Sequence, residues 1–136
     1  MTSTADFVLS RVGAEVLWLR PLRDMDLDFT PGMIHEFVSA SWEYGVNRIV
    51  IDLRGIGSVD TDEQRREFVA GLDETGLRPD HRIVVLVGHE ATVHETCPTA
   101  MRELGFRARS FVDTADAIDW LFPDDRGNNQ SWMHHL

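Results

Sequence analysis

Three patterns in this 136-residue chain predict an α/β domain on a mixed, mostly parallel sheet. The first is a pair of short unbroken apolar runs, Ile49-Val50-Ile51 and Ile83-Val84-Val85-Leu86-Val87, of the kind buried on both faces of a parallel sheet. The second is the set of segments between and after them, where apolar residues recur three and four apart and a glycine or proline follows. The third is an alternating N-terminal stretch that reads as an antiparallel hairpin. Together they give the order β-β-α-β-α-β-α-β-α, about five strands and four helices with right-handed crossovers.

The hairpin strands carry Phe7, Leu9 and Arg11, then Val16, Trp18 and Arg20, with Val12-Gly13-Ala14-Glu15 as the turn. Residues 21–29 form a polar, acidic connector. Thr30-Pro31 starts the first helix, with Thr as N-cap and Pro at the first helical position, and Gly45 stops it after about Tyr44. Met33, Ile34, Phe37, Val38, Ser41 and Trp42 mark its sheet-facing stripe, and Glu36, Ser39 and Glu43 its wet side. After the strand at 48–53 comes a second helix over roughly residues 61–75, charged in its first two turns and apolar at Phe68, Val69 and Leu72, ended by Gly76. A third helix falls between residues 91 and 104, limited or kinked by Pro98 and closed by Gly105. Residues 106–112 form a strand, Asp113 or Thr114 caps a last helix with Ala117, Ile118, Leu121 and Phe122 on its apolar side, and Pro123 stops it. Residues 1–122 are thus expected to be one domain and 123–136 a polar tail, in which Trp132, Met133 and Leu136 are apolar enough to dock on a partner or a second copy.

Composition narrows the function. The chain is 43% hydrophobic and 26% charged, with a net charge of −10 spread over both halves. Phosphate neutralisation supplies most nucleic-acid affinity, so no nucleic-acid partner is expected. All 13 basic residues are arginine, which excludes Schiff-base and phosphate-loop lysine chemistry. Cys97 is the single cysteine, so no internal disulfide forms. No basic-then-apolar leader and no run near the roughly 20 apolar residues of a membrane span occurs, so a cytoplasmic protein without an integral membrane segment is expected.

Among candidate sites, residues 54–61 (Arg54, Gly55, Ile56, Gly57, Ser58, Val59, Asp60, Thr61) leave a buried strand and enter a helix, where open α/β sheets present functional groups. Gly55 and Gly57 partly mimic a dinucleotide fingerprint, but Asp60 stands where the third glycine belongs and would repel pyrophosphate. Thr61-Asp62-Glu63-Gln64 reads as a capping box. The competing reading makes Thr61 a phosphoryl acceptor on the positive end of the helix dipole, opposed by the carboxylates of Asp60, Asp62 and Glu63. Asp24, Asp26 and Asp28 begin like a calcium loop, but Phe29 and His35 occupy positions that require Gly and Glu. His89 and His94 are five apart rather than four, and His94 with Cys97 makes one metal-type pair without a second, so no metal and no cofactor are expected. Cys97 with His94 as nucleophile and base is the weakest reading, since no elbow, zinc-binding helix or phosphate loop accompanies it.

The hairpin, the strand at 48–53, the turn ending Val59-Asp60-Thr61 and the further βα units resemble the STAS fold of anti-sigma-factor antagonists. The closing segment from Arg107 to Leu121, a strand followed by Ala117-Ile118-Asp119-Trp120-Leu121, is similar to the SpoIIAA-like, STAS/SEC14 branch. The resemblance implies a non-enzymatic regulatory or protein-interaction module, with the segment from Gly55 to Gln64 and its helix as contact surface. It also implies that Asp60-Thr61 corresponds to the phosphorylated pair, which makes Thr61 the acceptor. The highly charged run Asp62-Glu63-Gln64-Arg65-Arg66 replaces the small, Gly-rich residues that usually follow that pair. The branch is similar in outline to CRAL-TRIO lipid-binding domains, which implies an alternative: an apolar small-molecule carrier with its cavity under the first helix, between Phe37, Trp42 and the sheet. The hairpin edge and the apolar tail residues make a homodimer a further expectation.

Overall fold

Burial along each strand decides which way the sheet faces its neighbours. The structure, a computed structural model, describes residues 2–3, 7–13, 15–22, 30–54, 62–77, 82–88 and 96–123. Within these residues the chain runs β1 (Thr2–Ser3), β2 (Phe7–Val12), β3 (Val16–Pro21), α1 (Thr30–Tyr44), β4 (Arg48–Asp52), α2 (Asp62–Thr75), β5 (Arg82–Leu86), α3 (Thr96–Glu103), β6 (Arg107–Phe111) and α4 (Thr114–Leu121). The strands lie in sequence order in one sheet. β1, β2 and β3 pair antiparallel, and β3 to β6 pair parallel. The expected order is therefore present, with a two-residue strand β1 added along β2 opposite Val8 and Leu9. That addition covers part of the hairpin edge that the sequence reading leaves open. Pro21, expected in the connector, instead ends β3 opposite Phe7 and is buried.

Ile49 and Ile51 of β4, with Ile83 and Val85 of β5, point into the larger core, which also holds Met33, Phe37, Phe68, Leu72 and Met101. Val50 and Val84 alternate to the opposite face and meet Ala117, Ile118 and Leu121 of α4 and Phe122 just after it. This two-sided burial explains why both central strands are unbroken apolar runs rather than alternating ones. Helices α1 to α3 connect parallel strands and supply one layer, while α4 follows the last strand and covers the other face.

The helices of the larger layer end alike. Val46 donates its N–H to the Ser41 carbonyl, Leu77 to Leu72 and Phe106 to Met101, each across a glycine with positive φ, which is the Schellman arrangement with an apolar residue following. Val46, Leu77 and Phe106 are all buried, so each helix stop also anchors the chain in the core. Pro98 sits in the first turn of α3, where its missing N–H breaks no helical bond, so the helix begins near it instead of kinking. The Asp113 carboxylate accepts the Ala115 N–H at 2.7 Å and caps α4.

Trp42 departs from the sheet-facing stripe that its spacing predicts. It is 54% exposed and donates its indole N–H to the Gly76 carbonyl at 2.9 Å. Position 42 lies at the edge of the stripe; Ser41 faces inward as expected, Ala40 joins it, and the indole N–H of Trp42 finds an acceptor just past the end of α2. No helix among the described residues is long and apolar enough to cross a membrane.

Candidate functional site

The carboxyl end of β4 is where the candidate segment 55–61 leaves the sheet, and the chain is clamped there by one buried carboxylate. Asp52 closes the strand on the α4 side of the sheet and is only 2% exposed. Its two oxygens accept four hydrogen bonds. Oδ1 takes the Arg54 backbone N–H at 3.1 Å and Arg54 Nε at 2.9 Å. Oδ2 takes Arg54 Nη2 at 2.9 Å and the Trp18 indole N–H at 3.3 Å. The guanidinium thus grips the carboxylate side-on, a geometry that matches two donors to two acceptors. Arg54 Nη1 also donates to the Thr114 hydroxyl at 3.3 Å, linking the exit of β4 to the start of α4.

Burial alone pushes the Asp52 carboxyl up, but the hydrogen bonds and charge of Arg54, with the Trp18 indole, outweigh it and hold the group below its ordinary value. Asp52 in turn holds Arg54 above its ordinary value. An ionised carboxylate with every oxygen engaged is poorly placed to take a proton near neutral pH, so this cluster is an anchor rather than a general base. Its backbone bond is an Asx turn that fixes the direction in which the chain departs after Arg54. Arg54 stands at the head of the turn as expected, whereas the sequence alone does not reveal its pairing with Asp52. The available signal is a carboxylate closing an apolar strand two residues before an arginine.

Gly55, Gly57, Ser58, Asp60 and Thr61 lie outside the described residues, as do the Gln64 side chain, Asp24, Asp26, Asp28, His89, His94 and the tail residues Trp132, Met133 and Leu136. Cys97 belongs to the first turn of α3, and its side chain is likewise outside the description. The described part of α2 turns Phe68, Val69 and Leu72 inward, while Arg66 reaches Glu103 at 3.6 Å on the surface. Phe37 and Trp42 do not share one environment: Phe37 is wholly inside the core and Trp42 stands on the surface. A groove of about 430 Å³ between α1 and β2 is lined by His35, Glu36, Ser39, Glu43, Tyr44 and Leu9, a wall of mixed polar and apolar surface. No group of three or more metal-ligating side chains occurs among the described residues.

A sheet in sequence order, with an N-terminal antiparallel hairpin, three helices on one face and one on the other, is a STAS-like fold. The chain resembles a solved structure described as the anti-sigma factor antagonist SpoIIAA in its unphosphorylated form, with a TM-score of 0.53 and 15% identity over 86% of this chain and 96% of that one. No protein-family model matches the chain. No curated protein matches it in sequence.

Proposed function

We propose that this chain is a non-enzymatic regulatory module that binds another protein through the segment from Gly55 to Gln64 and helix α2, and that phosphorylation of Thr61 switches the contact. The observation that carries the reading is the fold shared with an anti-sigma factor antagonist along nearly the whole length of that chain. The clamp at Asp52 and Arg54 supports it physically. It ties the start of the segment to the sheet, and α2 begins at Asp62 directly after Thr61, so a modification at Thr61 acts on a short span between two packed elements. A phosphate there gains from the helix N-terminus and is opposed by Asp60, Asp62 and Glu63, so adding or removing it changes the charge of the contact surface strongly.

The test is crosslinking of the chain in its own cells, followed by the same measurement on Thr61→Glu and Thr61→Ala. The reading expects crosslinks to one protein concentrated on residues 55–75, weakened by Thr61→Glu and retained in Thr61→Ala. Crosslinks that fall elsewhere and ignore both substitutions overturn it. An apolar molecule that leaves the protein only on denaturation favours the carrier alternative, although not at a cavity between Phe37 and Trp42, which lie apart in the core and on the surface.

A further inference from the structure

At the end of the sheet opposite the Asp52 clamp, strand register stacks arginines on neighbouring strands. Arg48 of β4 stands opposite Arg82 of β5, and Arg82 opposite Arg107 of β6. Adjacent strands are about 4.8 Å apart, so three like charges share one row on the α4 side of the sheet. Arg109 follows two residues after Arg107 on the same face. The C-terminal part of α4 covers the inner members: Arg48 stacks on Phe122 at 4.3 Å and donates to the Leu121 carbonyl at 3.0 Å, and Arg82 stacks on Trp120 at 4.5 Å. None of these four arginines forms an ion pair with a described residue. The Nε of Arg82 is buried with no hydrogen-bond acceptor among the described residues.

Arg107 and Arg109 are exposed and open onto a groove of about 570 Å³ whose walls include Arg102, Ser110 and Trp120. Against a net charge of −10, a row of arginines with no ion pair among the described residues is a local reversal of sign. Protection of the β6 edge explains exposed charge on an edge strand, but not Arg82, which lies one strand inside and leaves a buried donor unused. Arg107 and Arg109 leave the same strand face about 7 Å apart along the backbone, with the Arg109 guanidinium resting on the Phe111 ring at 5.1 Å, and two long side chains rooted at that spacing suit an anion with several oxygens.

We infer that the groove beside β6 is an oxyanion site, in which Arg107 and Arg109 grip a phosphate-type group while Arg82 and Arg48 supply the surrounding positive field. The inference rests on the amino end of the parallel strands and is independent of the reading of Thr61. Calorimetric titration of the whole chain with inorganic pyrophosphate at fixed ionic strength tests it. Saturable one-site binding is expected, weakened about tenfold or more in Arg107→Gln and in Arg109→Gln, because each removes hydrogen bonds to a charged group. Arg11→Gln, which removes an equal charge from β2 far along the sheet, is expected to leave binding unchanged. Circular dichroism and urea midpoints establish that each variant folds. Absence of saturable heat, equal weakening by Arg11→Gln, or full binding in the Arg107→Gln/Arg109→Gln double variant overturns the inference. So does equal displacement by chloride at matched ionic strength, which would reduce the effect to screening.

Discussion

Replacing Asp52 by Asn keeps the size of the side chain at the end of β4 and removes its charge, which makes it the sharpest probe of the clamp. The carboxylate accepts two donors on each oxygen. Whichever way an amide turns, its NH2 group faces two donors: either Arg54 N and Nε, or Arg54 Nη2 and Trp18 Nε1. Hydrogen bonds to a charged group contribute about 1.5–3 kcal/mol each. The Arg54 side chain is 40% exposed, so its freed donors recover water and the loss is discounted to about 2 kcal/mol in total. Urea unfolding at pH 7 reads this as a midpoint lowered by about 1 M with an unchanged slope. The pH dependence gives the second readout. The folded Asp52 carboxyl lies below its ordinary value of 3.8, so its stabilisation is complete above that value and is lost as pH falls through the lower folded value. The gap between native chain and variant is therefore expected to hold steady from pH 7 to about 5 and to close in stronger acid. A gap under about 0.5 kcal/mol at pH 7, or one undiminished in strong acid, refutes the clamp as described.

Phe37→Ala is expected to cost about 3–5 kcal/mol in urea unfolding, because the ring is fully buried, while Trp42→Ala costs about 1 kcal/mol, the worth of one surface-anchored indole bond. Between α1 and α2, a Cβ on Gly71 meets Ile34 Cδ1 at 2.7 Å. The helix-propensity gain of Gly71→Ala is thus offset by crowding, and combining it with Ile34→Val is expected to give a favourable coupling of about 1 kcal/mol in a double-mutant cycle. Asp113→Ala removes the cap of α4 and is expected to lower stability by about 1 kcal/mol, seen as a reduced melting temperature without loss of the fold.

Most of the architecture is legible because the signals are local. Gly45, Gly76 and Gly105 stop three helices as the sequence indicates, since each is followed by an apolar residue that the helix end drives into the core. The two central strands declare their two-sided burial through Ile49-Val50-Ile51 and residues 83–87. The added strand β1 escapes notice because two residues carry no periodicity. Trp42 is misplaced because a helical stripe has an edge, and a side chain there answers to its polar handle as much as to its apolar area. The Asp52 clamp and the arginine row are nonlocal. Arg48, Arg82 and Arg107 are far apart in sequence, and only strand register makes them neighbours. The segment from Gly55 to Thr61 remains a reading of sequence and resemblance, now given a fixed point of departure at Arg54.

The central claim is that this fold serves as a switched protein-binding module with its switch at Thr61. Its most direct test is the mass of the chain recovered from its own cells, compared under native and denaturing conditions, with covalent phosphate located by fragmentation. The account expects a phosphate on Thr61 in a fraction of the molecules and a bound protein on the unmodified fraction. Phosphate absent from Thr61 in every growth condition, together with an apolar small molecule released on denaturation, contradicts it.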